Sequence, residues 1–321
     1  MPESLIEIKG LKTHIHTSEG IVKAVDGIDF KIDTGEIVGI IGESGCGKSM
    51  TALSILRLLP SQAKMEGEIL YQGENILKYN PSQMREIRGG KISMIFQDPV
   101  TSLNPVFTVG NQICEAIMLH QRVNRKEAVE IAIEMLRLCG LPSPKEQFNR
   151  YPHQLSGGMN QRVMIAMSLS AHPKILIADE PTTALDVTIQ AQILDLIVHL
   201  QAKLNMSVLL ITHDLSIIST ITKRVIIMYA GKIVEYARTD SLFASPLHPY
   251  TKGLINSIPN IDSTEKRLNT IPGVVPNPMN LPCGCRFHPR CPEAIPRCFD
   301  AEPEMRLCGE EHGVRCFEGD W

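Results

Sequence analysis

The sequence predicts an α/β fold built on a parallel sheet, and three observations carry that prediction. Short apolar runs alternate with helical patterns, and each run ends in polar residues. Gln97 follows 92–96, Asp179 and Glu180 follow 175–178, and His213 and Asp214 follow 207–212. Strands buried on both faces read as such runs, and ligands of these sheets bind beyond the strands' carboxyl ends. The second observation is Gly42-Glu43-Ser44-Gly45-Cys46-Gly47-Lys48-Ser49, which fits G-x-x-x-x-G-K-[ST]. It stands between the apolar run 36–41 and a helical stretch, 50–59, stopped by Pro60. The third is size. At 321 residues and 43% hydrophobic, the chain accommodates one large α/β domain plus an appendage, or two domains.

Taken in order, residues 5–12 and 22–32 alternate apolar and polar around a Ser18-Glu19-Gly20 turn. They predict two antiparallel strands, and 67–74 predicts another in the same small β-layer. From 109 to 139 the residues Ile113, Ala116, Ile117, Ala128, Ile131, Ala132, Met135, Leu136 and Leu138 fall at helical spacings, ended by Gly140-Leu141-Pro142. Ser156 is a good N-cap for an apolar helix through 170, and 189–204 predicts an amphipathic helix. Residues 224–236 predict a hairpin turning at Ala230-Gly231-Lys232. From about Pro246, prolines, cysteines and turns replace periodicity, so a boundary is expected near 250–262.

A net charge of −3 does not favour nucleic acid. No run approaches the ~20 apolar residues that span a bilayer. Residues 1–7 show neither a basic nor an apolar signal region, so a cytosolic protein is expected.

The chemistry concentrates in a few stretches. In 42–49, glycines let successive N–H groups point inward at phosphate oxygens, and the helix start adds its dipole. Gly42, Ser44, Gly45, Cys46, Gly47, Lys48, Ser49 and Met50 are the expected nucleotide contacts. Lys48 can reach the β- and γ-phosphates, and the Ser49 hydroxyl can ligate Mg²⁺. Asp179 at its strand end would hold the same Mg²⁺. Adjacent Glu180 points differently and can take a proton from attacking water. Gln97 can ligate Mg²⁺ and orient water without adding charge. His213 could contact the γ-phosphate and Glu180. Ser156, Gly157 and Gly158 before a helix make a second anion site. Two phosphate-binding helix ends need not fold onto one nucleotide; two subunits arranged head to tail can share them.

These motifs together resemble an ABC-type ATPase subunit over residues 1 to about 240. The matching elements are GESGCGKS at 42–49, Gln97, LSGGMNQR at 155–162, ILIADEPT at 175–182, Ala184-Leu185-Asp186 and His213. More narrowly, 94–105, Pro246-Leu247-His248-Pro249-Tyr250-Thr251 and 284–292 resemble the dipeptide/oligopeptide/nickel importer subfamily. The resemblance implies a P-loop NTPase with a RecA-like core, an antiparallel β subdomain and a helical subdomain at about 98–172. It implies a nucleotide-binding domain over 1–255 and a loop-rich C-terminal metal-binding appendage over 256–321. The implied activity is ATP hydrolysis driving dipeptide or oligopeptide import. A nickel or other small-solute importer is the alternative, and a non-transport ABC ATPase a further one.

The implied partners are a second ATPase subunit, two membrane permease chains and an external substrate-binding protein, at the cytoplasmic face of the membrane. Ser156 and Gly158 of one subunit would face the γ-phosphate bound by the other. The family usually stacks adenine on an aromatic residue of the first strands. Thr13-His14-Ile15-His16-Thr17 has no Tyr or Phe, so either His16 or His14 stands in or base stacking is weak.

Six of the nine cysteines crowd the tail. Cys285, Cys291, Cys298 and Cys316 occur at places where the family tail carries cysteines, associated in some members with a [4Fe–4S] cluster. Four thiolates suit a cubane cluster or Zn²⁺, and the lack of C-x₂-C knuckles favours iron–sulfur. Cys283 and Cys308 could each replace one of the four.

Overall fold

The computed structural model describes residues 4–98, 102–183, 185–258, 270–309 and 311–317. These residues belong to two units, one from 1–77 and 211–321 and one from 78–210.

The alternating N-terminal stretches pair antiparallel as β1 (Ser4–His16) and β2 (Ile21–Asp33). On β1, Leu5 is buried near the start, and the alternating buried side chains are Ile6 and Ile8, then Leu11 and Thr13. The parity changes at Gly10, whose φ is +53° and where the pairing with both neighbouring strands shifts. One extra residue turns every later side chain to the opposite face, so the bulge keeps Leu11 in the core. After β3 (Ile37–Ile41), β4 (Ala63–Tyr71) and β5 (Glu74–Asn75) complete an antiparallel sheet of order β2-β1-β4-β5.

In the second unit, β6 (Ile92–Ile95) and β7 (Ile175–Asp179) pair parallel, and β8 (Ser207–Ile211) is their companion. All three are fully buried, which explains their mostly apolar runs. The stretch 109–139 is two helices, Val109–Gln121 and Arg125–Leu138, rather than one. The break is a left-handed Arg122 followed by a capping box. The Asn124 side chain accepts from the Lys126 and Glu127 N–H groups, and Glu127 accepts from the Asn124 N–H. An Asn-x-x-Glu spacing starts a helix in the polar stretch between the two apolar sets. Ile113 and Ile117, Ala132 and Leu136, and Val163 and Ile165 of the helix Gly157–Leu169 are all buried. Truncating one, as in Leu136→Ala, would cost about 2–5 kcal/mol.

The chain returns to the first unit with β9 (Arg224–Tyr229), parallel to β3, and β10 (Lys232–Arg238), antiparallel to β9. Ala230 and Gly231 both have positive φ, the geometry of a two-residue hairpin turn. In the tail, β11 (Arg306–Leu307) pairs with β12 (Gly313–Val314), and β12 pairs with β10. The loop-rich tail is therefore stitched to the strands that carry the phosphate loop. Among the described residues, no helix is long and apolar enough to cross a membrane.

Candidate active site

From the end of β3 the chain curls through 42–47 into the helix Lys48–Ile55. Gly47 has φ +106°, and a Cβ there would meet the Ala24 carbonyl oxygen at 2.3 Å. A Cβ on Gly42 would meet the Met228 carbonyl oxygen at 2.2 Å. Only glycine fits either position. Lys48 is buried, and its Nζ donates to the carbonyls of Gly42 (2.6 Å) and Glu43 (3.1 Å). The ammonium thus lies inside the curl. Cys46 is fully buried, and burial raises its thiol pKa. It serves the loop through its backbone: its carbonyl accepts from the Gly231 N–H at 2.9 Å. Ser44 and Gly45 are exposed at the tip, and Ser49 and Met50 are half-buried at the helix start.

In the second unit, Asp179 is the buried last residue of β7. Glu180 follows with φ +46°, a strained conformation for a non-glycine residue. Its surroundings hold it there. The Thr183 N–H donates to its carbonyl at 3.2 Å. Its Oε2 accepts from Thr183 Oγ1 at 2.9 Å and from Gln97 Nε2 at 3.0 Å. Gln161 and Gln190 brace the turn from two helices, donating to the carbonyls of Pro181 (2.5 Å) and Thr182 (3.2 Å). Gln97, beyond β6, and Glu180, beyond β7, are thus joined by a hydrogen bond.

Ser156 caps the helix Gly157–Leu169, accepting from the Met159 N–H at 3.3 Å. Ser156 and Gly157 are exposed, and Gly158 is half-buried. They line a hollow of about 410 Å³ with Asp186, which caps the helix Val187–Leu204. Ala184 lies outside the described residues, as do 99–101. His213 is exposed beyond β8, one residue before Asp214, the cap of the helix Leu215–Ile221.

A family model described as ABC transporter matches residues 25–183, and one described as Oligopeptide/dipeptide transporter, C-terminal region, matches 234–298. The chain is 51% identical over 319 residues to the probable peptide ABC transporter ATP-binding protein y4tR of Sinorhizobium fredii, covering 98% of this chain and 95% of that one. This chain belongs to the ABC transporter ATP-binding family. It is also 50% identical to the oligopeptide transport ATP-binding protein AppD of Bacillus subtilis, over 98% of this chain and 96% of the relative. Among solved structures, the dimeric ATP-binding cassette MJ0796 in a post-hydrolysis state bound to ADP and Pi matches with a TM-score of 0.66 and 29% identity. That match covers 73% of this chain and 98% of the other.

Within this ABC ATPase, sequence reasoning missed what lies behind the phosphate loop. The Glu43 N–H donates to Tyr250 Oη at 2.9 Å. Both Glu43 carboxylate oxygens accept from Arg290, at 2.6 and 3.0 Å. Tyr250, Tyr229 and Phe287 pack ring against ring, with centroids 4.7–5.4 Å apart. The helix Pro249–Asn256 aims Tyr250, and its start is fixed twice over. His248 Nδ1 accepts from the Tyr250 N–H, and the Glu235 carboxylate accepts from the N–H groups of Leu247 and His248. Complete burial drives the His248 pKa down to about 4. Burial alone would raise that of Glu235, but hydrogen bonds from His312 and these N–H groups outweigh it and hold the carboxyl below its usual range. A second tail arginine, Arg286, pairs with Asp26 of β2 and donates to the Ala230 carbonyl at 2.5 Å. Burial would raise the Asp26 pKa, yet Arg286, Lys232 and His14 bring it down to about 2.

His14 Nε2 is engaged by Asp26 at 3.0 Å, whereas His16 is exposed at the end of β1. Among the described residues, no group of three or more His, Cys, Asp or Glu is arranged to hold a metal ion. The four thiols do share one neighbourhood. Burial pushes Cys285 and Cys291 up to about 11, and the charge of nearby thiols adds to it: Cys298 and Cys316 for Cys285, and Cys285 and Cys316 for Cys291. The Cys285 N–H donates to the Cys298 carbonyl at 2.8 Å.

Proposed function

We propose that this chain is the ATP-hydrolysing subunit of a peptide-class ABC importer. The hydrolytic part rests on the Gln97–Glu180 hydrogen bond at the end of β7. Peptide as the cargo class is supported by the similarity to peptide-transport ATPases and by the match over 234–298. Nickel or another small solute is the alternative cargo, since specificity resides in other chains.

Lys48 and the loop amides bind the β- and γ-phosphates. The hydroxyl of Ser49, the amide of Gln97 and the carboxylate of Asp179 are hard oxygen donors of the kind that would hold Mg²⁺, which when bound neutralises triphosphate charge. Glu180 accepts the proton of the attacking water, oriented by Gln97 and Thr183. His213 contacts the γ-phosphate, and His16 lies against the adenine. Ser156, Gly157 and Gly158 face the γ-phosphate held by a second ATPase subunit. Two permease chains and an external binding protein complete the importer, and this chain lies at the cytoplasmic membrane face.

Glu180→Gln in the assembled transporter is expected to lower ATP turnover by about 10²–10⁴-fold while ATP still binds. Steady turnover surviving that change would refute the role of Glu180.

For the tail, a [4Fe–4S] cluster with Zn²⁺ as the alternative is supported by the cysteine spacing and the shared neighbourhood of the thiols. Iron counted per chain, with thiolate-to-iron absorbance, tests it.

A further inference from the structure

We infer that Tyr250 and Arg290 are positioning residues of the phosphate loop: they fix Glu43 and neutralise its charge, and so set where Lys48 presents its ammonium. The inference rests on reading 42–49 as the ATP site.

Glu43 occupies a variable position of the loop motif, yet every polar group it owns is committed. Its N–H donates to Tyr250 Oη. Its carbonyl accepts from Lys48 Nζ. Both carboxylate oxygens accept from Arg290 in a two-pronged pair. That geometry is among the strongest and most orienting of side-chain contacts. The Arg290 side chain is only 3% exposed. Its other donors go to the carbonyls of Pro272 (2.8 Å) and Ile271 (3.3 Å) and to Tyr229 Oη (3.3 Å). The guanidinium is therefore held in place by the tail before it meets Glu43.

Two consequences follow. The carbonyls that seat Lys48 belong to Gly42 and Glu43, so fixing Glu43 fixes the seat. Without Arg290, the Glu43 carboxylate would be a partly buried, uncompensated negative charge inside a loop that receives a triphosphate. It would repel that ligand as well as loosen the loop.

Neutralisation of Glu43 by Arg290 predicts a rescue that a purely structural role would not give. In the full-length chain, Arg290→Met is expected to weaken ATP binding about tenfold or more, with KM rising more than kcat falls. Adding Glu43→Gln to Arg290→Met removes the repelling charge and is expected to restore affinity to within about threefold of Glu43→Gln alone. Tyr250→Phe keeps the ring and is expected to cost about three- to fivefold in affinity, with an unchanged melting temperature without nucleotide.

A double variant as weak as Arg290→Met would overturn the charge role. Should Arg290→Met fail to fold, unchanged ATP affinity in both folded Glu43→Gln and Tyr250→Phe would overturn the inference, and a loss in Tyr250→Phe would support it. Lys48→Ala separates the two levels. If it abolishes ATP binding while Glu43→Gln and Tyr250→Phe do nothing, only the positioning role falls. If it too leaves ATP binding intact, the ATP-site reading falls with it.

Discussion

The two helix ends proposed to bind phosphate are built in opposite ways. The loop 42–49 is buried at its flanks, depends on glycines no other residue can replace, and is gripped by residues far along the chain. The turn at Ser156–Gly158 is displayed. Its serine and first glycine are exposed, and its cap bond is local. A Cβ on Gly157 would make only an ordinary contact, 3.6 Å from Leu185 Cδ2. An enclosed cradle can shape itself around a ligand alone. A displayed helix end suits a ligand already held by something else. The contrast supports a site made of two halves, one subunit supplying the cradle and another the turn.

Substitutions can break this contrast. Gly47→Ala should be the severest, because it combines a left-handed backbone with a backbone clash. It is expected to cost about 4 kcal/mol in denaturant unfolding. Gly157→Ala, the matching change in the displayed turn, should stay within about 0.5 kcal/mol. Comparable costs at the two positions would erase the distinction.

Acid should act between these extremes, and on the cradle's tether rather than the turn. The folded-state pKa of His248, about 4, lies below its ordinary 6.5, so the unfolded chain takes up the proton first. Stability is complete above about pH 6.5 and falls as pH drops toward 4. The loss between pH 8 and pH 5 is expected to be about 2 kcal/mol. Glu235, also lowered, gives a further loss below its usual range. Urea unfolding at the two pH values measures the drop, and His248→Gln should remove most of it. A pH-independent wild type would mean that burial of the neutral ring does not stabilise the fold.

The cradle was legible in the sequence because its demands are local. Glycines at fixed offsets, a lysine and a strand–helix context all fall within a short window. The ends of β6 and β7 were legible for the same reason, as was the hairpin at Ala230-Gly231. The helix break at Arg122 was present in the Asn124-x-x-Glu127 spacing and in the gap between Ile117 and Ala128 in the apolar pattern. The grip on Glu43 left no local trace, since Tyr250 and Arg290 lie 207 and 247 residues away. Long-range pairs of this kind follow from how the tail joins the strands of the first unit. The cysteine tail shows the converse limit, because spacing marks candidate ligands without saying that their sulfurs converge.

The most direct measurement follows ATP binding and ATP turnover together as the chain is diluted. A cradle complete in itself, but only half of a hydrolytic site, binds one ATP per chain at every concentration. Its turnover per chain is then low at dilution, rises on concentration or on adding the second ATPase subunit, and is lost in Ser156→Ala. Full turnover in dilute monomer, unaffected by Ser156→Ala, would contradict the two-half site.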